Sequence, residues 1–421
     1  MNDLNKKNLI TRRKVAGGVF FLLIISMGLK VNAKEGLDSW FKREKDVVLQ
    51  KMLLNISPAD GARGSVAASP SKENPNYYYH WVRDAALTMD VVERFDEKNF
   101  NLMMDYVEFS RQNQKINTLT GLGEPKFNID GSAFNDPWGR PQNDGPALRA
   151  ITLIHFANSL LEMGKENIVR EKLYDGKLPT SSVIKLDLEY VSHHWQDTSF
   201  DLWEEVKGHH FYTRMVQRRA LIEGASLAQK LDDPFAAEFY RSQAKKLESE
   251  IERHWNPERG IIVATLDRDG GLDYKTSGLD VAVILGVLHG TTDDGFMSVS
   301  DSRVLATAKR LEDAFQSLYS INQNGMVGIA IGRYPEDQYF GGNPWVLATF
   351  ALAEFYYKLG EIKKGDEFMA RVQLHANPDG SLSEQIDRKS GYMISARDLT
   401  WNYASFLTAI GSRNNLRVQI P

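Results

Sequence analysis

The sequence has no cysteine, which excludes a disulfide framework, a zinc–thiolate or iron–sulfur centre and a cysteine nucleophile. Charge of one sign is not in excess either: 51 Lys and Arg stand against 55 Asp and Glu, a formal net charge of −4. Low-complexity linkers and long runs of alternating apolar and polar residues are also scarce. What is present is material for a core. With 42% hydrophobic and 10% aromatic residues in 421, disorder and fibrous repeats are excluded. Length alone allows two or three domains, or one large barrel.

The amino terminus points to a compartment. Lys6, Lys7, Arg12, Arg13 and Lys14 precede the apolar run Val15–Met27, and Val31-Asn32-Ala33 leads into a polar segment. This is the three-part pattern of a secretory signal peptide, with cleavage expected after Ala33. An apolar run of 13 residues is short for the ~20 that a membrane span needs. Arg12-Arg13 after Thr11 also resembles a twin-arginine signal. The expected location is therefore secreted or periplasmic. Residues 1–33 hold six basic residues and one acid, so the chain that remains, 34–421, carries −9. That charge argues against nucleic acid or an anionic membrane as partner, since both need a basic face. A neutral substrate suits it, and a monomer is expected.

From Gly36 onward, apolar residues recur mostly at i, i+3 and i+4. The spacing predicts helices over 39–56, 83–95, 102–112, 146–163, 181–195, 214–231, 234–255, 302–318, 344–359, 364–375 and 396–410. Pro is placed in the first turn at Asp233-Pro234 and Asn343-Pro344, where its missing N–H costs nothing. The protein should be mainly α, and short and long connections in alternation suggest a single closed helical barrel.

The long connections are informative. Residues 115–147 form a stretch rich in Gly, Pro, Asn and Asp that also holds Phe127, Phe134 and Trp138; loops of this length in compact proteins are usually functional or disordered, and the aromatics argue for function. Similar acidic and aromatic loops occur at 74–84, 200–211, 332–345 and 380–401. Sugars present apolar C–H faces and hydroxyl rims, so a site for them needs flat aromatic rings beside charged groups that can make paired hydrogen bonds. Candidates are Tyr77, Trp81, Arg83, Asp84, Trp138, Trp203, Glu204, Glu205, Arg333, Asp337, Trp345, Glu384 and Trp401. Any one Trp would more often be core packing; five loops of the same composition favour a site. Cleaving a glycosidic bond needs one carboxylic acid to protonate the leaving oxygen and a second carboxylate opposite. Asp201-Leu202-Trp203-Glu204-Glu205 offers an acid whose apolar and acidic neighbours would raise its pKa. Among 55 acidic residues, spacing does not select its partner.

Two other features imply no cofactor and no metal. His193-His194 and His209-His210, read as helical, would point to different sides, and no spaced carboxylate completes a ligand set. Gly341-Gly342-Asn343 lacks the strand and further glycines of a phosphate loop.

The segments NPNYYYHWVRDAAL (74–87), GLGEPKFNIDGSAFNDPWGRPQNDGPALRA (121–150), DLWEEVKGHHFYT (201–213), GRYPEDQYFGGNPW (332–345) and SLSEQIDRKSGYMISARDLTWNYASFLTA (381–409) resemble, in order, the glucoamylases, family 15 of the glycoside hydrolases. The resemblance runs from about residue 50 to 411. It implies an all-α (α/α)6 barrel and release of β-D-glucose from the non-reducing ends of α-1,4-glucans, with slower α-1,6 cleavage. By it Glu204 falls on the general acid and Glu384 on the general base; because the family inverts, their carboxyls should lie roughly 6.5–9.5 Å apart. Arg83 and Asp84, with Arg333 beside them, would clamp the terminal glucose. Leu202 and Trp203 would offer backbone carbonyls and Glu205 a side-chain bond to the second sugar. Tyr77 would lie beside Glu384 and the attacking water, and Trp138 would pack on the sugars and brace Glu204. Asp337, Trp345 and Trp401 would support the wall. His80 stands where a small polar residue is expected, and is expected to alter a subsite edge. The stretch after Trp255 is short and no linker or starch-binding domain follows, so efficient attack on raw granular starch is not expected. Two other readings are a relative acting on dextran or trehalose and an inactive glucan-binding protein, the latter disfavoured by retention of both glutamates.

Overall fold

The computed structural model describes residues 36–95, 99–323, 325 and 327–418, so the expected signal peptide at 1–33 lies outside the described residues. At two helix starts an aspartate satisfies a free N–H group of the first turn. Asp233 accepts from Ala236 N with Pro234 following it, and Asp301 accepts from Arg303 N. Among the described residues there are twelve α-helices, besides a three-residue turn at Glu166–Ile168. They are α1 (Leu37–Leu54), α2 (Val82–Phe95), α3 (Phe100–Asn113), α4 (Asp144–Glu162), α5 (Val183–His194), α6 (Phe211–Lys230), α7 (Pro234–Glu252), α8 (Ala282–Gly290), α9 (Ser302–Leu318), α10 (Val346–Lys358), α11 (Ile362–His375) and α12 (Thr400–Val418).

The even-numbered helices pack each against the next, and α12 returns to α2, closing a ring; the odd-numbered helices pack outside it. The fold is an (α/α)6 barrel. Inner and outer helices differ in sequence for a physical reason. On α9, only the stripe Val304, Thr307, Ala308, Leu311, Glu312 and Phe315 is buried, the spacing of a helix with one wet face. Each large apolar residue on such a stripe contributes roughly 1.5–3 kcal/mol. Inner helix α10 is buried at every position from Val346 to Tyr357, because neighbours surround it.

One inner helix is not revealed by periodicity because its sequence lacks contrast, unlike α10, which carries Thr349 and Glu354. Residues 282–290, AVILGVLHG, are buried throughout except His289, so no polar face marks them. Several boundaries also differ by two residues or more, and two of them have a local reason. Pro344 does not start α10, which begins at Val346: its carbonyl accepts from Ile386 N at 2.9 Å, and Trp345 bridges Gln385, so this stretch is extended. Helix α12 begins at Thr400, since Ser395 (φ 67°) and Asp398 (φ 52°) are left-handed and cannot be helical.

The strands are short. β1 (Tyr79–Trp81) pairs antiparallel with β2 (Lys126–Asn128), placing Trp81 opposite Lys126. β3 (Ser199–Phe200) pairs with β4 (Lys207–His210), which pairs in turn with Thr265–Leu266. His209-His210 therefore sit on a strand and not on a helix. His209 faces Asp267 at 3.1 Å, while buried His210 lies between Thr265 and the Ser199 carbonyl. Among the described residues no helix is long and apolar enough to cross a membrane. The connections that enter α2, α4, α6, α10 and α12 carry all five aromatic and acidic segments, and they converge on one cavity.

Candidate active site

That cavity is about 290 Å³ and is lined by Tyr77, Trp81, Arg83, Asp84, Trp138, Leu202, Trp203, Glu204, Glu205, Arg333, Trp345, Glu384 and Trp401, together with Ala68, Gly139, Tyr339, Leu347 and Leu399. Of the expected site residues, only Asp337 is not part of the lining. It stands behind Arg333, accepting from its Nε at 2.8 Å and its Nη2 at 2.6 Å.

Glu204 occupies a turn between β3 and β4 with φ +68°, a conformation that costs a non-glycine residue of order 1–2 kcal/mol and persists only where its surroundings impose it. The surroundings are specific. Glu204 N donates to the Asp201 carbonyl at 2.8 Å, and Asp201 Oδ1 accepts from Glu205 N at 2.8 Å and Val206 N at 3.1 Å. The Glu204 carboxyl projects into the cavity, where Oε1 accepts from Trp81 Nε1 at 2.6 Å and Gln142 Nε2 at 3.0 Å, with Arg83 Nη2 at 3.8 Å. The resemblance assigns the bracing of Glu204 to Trp138, but the indole that bonds it is Trp81; Trp138 packs edge-on against Trp81, with ring centroids 6.1 Å apart.

Glu384 has a different environment. It is fully buried, and its Oε2 accepts from Gln385 Nε2 at 2.9 Å and Ser395 Oγ at 2.5 Å. Among the described residues its Oε1 has no hydrogen-bond partner. Burial pushes this carboxyl up to about 7, against the opposing pull of Ser395, Tyr77, Arg333 and Gln385. The Tyr77 hydroxyl lies within electrostatic range of both glutamates and shares a 2.7 Å hydrogen bond with Tyr339.

Between the two carboxyls lies a charged and aromatic lining. Arg83 Nη1 donates to Gln142 at 2.9 Å and Asp144 at 3.1 Å, while its Nε stands 3.4 Å from Asp84 Oδ2, a buried ion pair in which neither atom makes a hydrogen bond among the described residues. Burial lifts Asp84 to about 6, although Arg83 pulls it down. Arg333 Nη2 reaches Glu205 Oε1 at 2.7 Å, and Tyr334 donates to Glu205 Oε2 at 2.6 Å. The Arg333 guanidinium stands 5.0–5.4 Å from the rings of Trp345, Tyr339, Tyr334 and Trp203, the range of cation–π attraction. Trp203 stacks near Trp401 at 6.4 Å. Trp401 also lines a second cavity of about 260 Å³, with Asp90, His289, Glu354 and Thr408 among its walls; its indole stands between the two.

The expected effect of His80 on the site is not what the structure places there. On β1 successive side chains alternate, so Trp81 reaches the cavity while His80 packs on Phe109 at 4.6 Å and accepts from Val66 N. Sequence reasoning in turn passes over Tyr339, Gln142, Ser395 and Lys126. Lys126 is buried, its ammonium 3.2 Å from the Trp138 ring centre and 4.0–4.4 Å from those of Phe134, Tyr79 and Trp81. A lysine beside Phe127, in a segment that also holds Phe134 and Trp138, is the signal that could have found it.

Comparison with known proteins identifies the company this site keeps. The model of the glycosyl hydrolases family 15 matches residues 42–366 and 361–411. Glucoamylase 1 of Rhizopus oryzae is 39% identical over 433 aligned positions, covering 89% of this chain and 70% of its own. A probable glucoamylase of Schizosaccharomyces pombe is 33% identical over 95% of this chain and 97% of its own. The solved glucoamylase of Saccharomycopsis fibuligera superposes with a TM-score of 0.84 at 32% identity, over 91% of this chain and 96% of that one. A family match over most of the chain, relatives that agree along their length and the same barrel leave one assignment: this chain is a glycoside hydrolase and belongs to family 15, the glucoamylases.

Proposed function

We propose that the protein is an inverting exo-glucoamylase, releasing β-D-glucose from the non-reducing ends of starch, glycogen or maltooligosaccharides and cleaving α-1,6 links more slowly. The observation that carries the reading is one cavity lined by two glutamates in unlike settings. Glu204 takes both of its hydrogen bonds on Oε1, leaving Oε2 to deliver a proton to the glycosidic oxygen. Glu384 is fixed through Oε2 and keeps Oε1 unpartnered, as the acceptor of a proton from water. A base whose proton affinity is raised by burial gains driving force for that transfer, and general acid or base catalysis contributes typically 10²–10⁴-fold.

The steps follow. Glu204 gives its proton to the leaving oxygen as the C1–O bond breaks, and the leaving chain departs as a neutral alcohol. Glu384 takes a proton from water, whose oxygen attacks C1 from the face opposite the departing chain and inverts the anomeric carbon. Arg83 Nε and Asp84 Oδ2, an ion pair at 3.4 Å with hydrogen-bonding capacity left unused among the described residues, hold the terminal glucose through its hydroxyls. Glu205, Arg333 and the backbone at Leu202 and Trp203 orient the sugars, and the faces of Trp138, Trp345 and Trp401 carry their C–H surfaces. Asp337 keeps the Arg333 fork in place. Export through the signal at 1–33 puts the enzyme with polymeric substrate, as a monomer acting in the periplasm or outside the cell.

The test is the anomer first seen by NMR when maltoheptaose, an isomaltose-type oligomer and trehalose are each offered. β-Glucose from maltoheptaose at the highest initial rate supports the reading. α-Glucose first, or trehalose preferred, refutes it. Glu204→Gln and Glu384→Gln should each abolish turnover while leaving the fold intact.

A further inference from the structure

We propose that Lys275 is a positioning residue for the acid Glu204, its ammonium locking together the two aspartates that hold the acid turn and the Trp203 indole. The inference rests on the proposed role of Glu204 and adds what fixes that residue in place.

Lys275 lies on the connection from strand Thr265–Leu266 to α8, far in sequence from the acid turn. Its Nζ is 3.1 Å from Asp201 Oδ2 and 2.6 Å from Asp280 Oδ2, and the three side chains are 2%, 3% and 1% exposed. Each aspartate does a second task with its other contacts. Asp201 Oδ1 accepts the Glu205 and Val206 N–H groups, and its carbonyl accepts Glu204 N, so it organises three consecutive backbone donors of the turn on which Glu204 sits at φ +68°. Asp280 accepts Trp203 Nε1 at 3.0 Å and caps α8 through Ala282 N at 2.7 Å. The ammonium also lies 4.1 Å from the ring of Tyr334, whose hydroxyl bonds Glu205.

The electrostatics make the cation necessary. Two carboxylates excluded from water beside Glu205 would not both stay ionised without a positive charge. Burial works against the lysine charge, yet Asp280 and Asp201 outweigh it and its pKa is raised. With the cation gone, one aspartate takes up a proton. A protonated Asp201 is a weaker acceptor for the turn, and a protonated Asp280 a weaker one for Trp203 and the start of α8. The left-handed Glu204 then loses what holds it. A displacement near 1 Å at a reacting group costs about 10²-fold.

The experiment compares two substrates with different need for an acid. A sugar leaving group must be protonated, whereas fluoride departs from α-D-glucosyl fluoride with little help. Wild type, Lys275→Met and Glu204→Gln are assayed for kcat and KM on maltoheptaose and on the fluoride. Because the ratio of the two rates does not depend on how much enzyme is folded, simple destabilisation leaves it unchanged. Lys275→Met should lower the maltoheptaose rate about tenfold or more through kcat, with the fluoride rate kept within about threefold. An unchanged ratio overturns the proposal. If the methionine variant does not fold, Lys275→Arg keeps the charge but moves it: a fall of about threefold or more in the ratio supports the inference and an unchanged ratio overturns it. Glu204→Gln separates the two levels: should it slow both substrates alike, Glu204 is not the acid and the proposed reaction falls, taking this inference with it.

Discussion

The barrel is pinned away from its catalytic cavity by a half-buried histidine whose charge can be switched by pH. His155 on α4 places Nδ1 2.5 Å from Asp90 Oδ1 on α2 and Nε2 3.1 Å from Glu223 Oε2 on α6, joining three inner helices. Arg219 Nη2 lies equally close to Nε2; with the ring protonated, Nε2 gives its hydrogen to Glu223 and Arg219 keeps its own 2.7 Å bond to Glu223 Oε1. Burial alone would lower the histidine, but Asp90 and Glu223 outweigh burial and lift it to about 9 from 6.5. Those contacts also lower Asp90, so the coupling is counted once, on the histidine. A folded pKa above the unfolded one gives stability that is complete below pH 6.5 and disappears as pH rises through 9. From the two pKa values the contribution is about 3 kcal/mol at pH 6, about 1.4 at pH 8 and near zero at pH 10. Unfolding about 385 residues carries an entropy near 0.8 kcal/mol per kelvin. His155→Gln, which removes the charge and keeps a hydrogen-bonding side chain, should therefore melt about 4 °C below wild type at pH 6, about 2 °C below at pH 8 and level with it at pH 10. The assay is thermal unfolding of both proteins across that range. A gap of constant size from pH 6 to 10 would refute a charged His155.

Other perturbations address the cavity. Trp81→Phe keeps the ring packing but removes the indole donor to Glu204; a hydrogen bond to a charged group is worth about 1.5–3 kcal/mol, so kcat on maltoheptaose should fall about tenfold or more with little change in melting temperature. Ser395→Ala removes a group that lowers Glu384, so that carboxyl should rise by about one further unit. Since the base acts ionised, the acid limb of kcat/KM moves to higher pH, and an acid limb that stays fixed argues against Glu384 as base. Gly342 adopts φ +64°, and a Cβ there would lie 1.9 Å from the Asp337 carbonyl. Gly342→Ala should cost more than about 3 kcal/mol, seen as a lower melting temperature and, because Asp337 holds Arg333, a raised KM.

How much of this is legible in the sequence depends on whether a residue's neighbours are local. The outer helices announce themselves because half of each is wet. Helix α8 does not, since its surroundings are apolar on every side and periodicity needs contrast. The acidic and aromatic loops are legible as a group by composition, and resemblance to a family orders them. Individual bonds are not. That Trp81 and not Trp138 bonds Glu204 follows from the pairing of β1 with β2, and that His80 turns away from the cavity follows from the alternation of the same strand. Lys275 and Asp280 carry no motif. They meet Asp201 only because the ring of helices brings residues 74 to 79 positions apart into one buried cluster.

Trp401 is common to the linings of both cavities, and release of glucose one unit at a time requires that the catalytic cavity end there. On the proposed reaction the order of departure is then fixed. Newly freed glucose lies deeper than the shortened chain, whose remaining units extend toward the mouth. The chain has to withdraw before the glucose can leave, so threading forward by one unit without letting go is impossible. Each cut requires a fresh encounter, and a crowd of short chains is digested evenly, many trimmed a little before any is consumed. High glucose slows turnover by refilling the innermost position ahead of the next chain end.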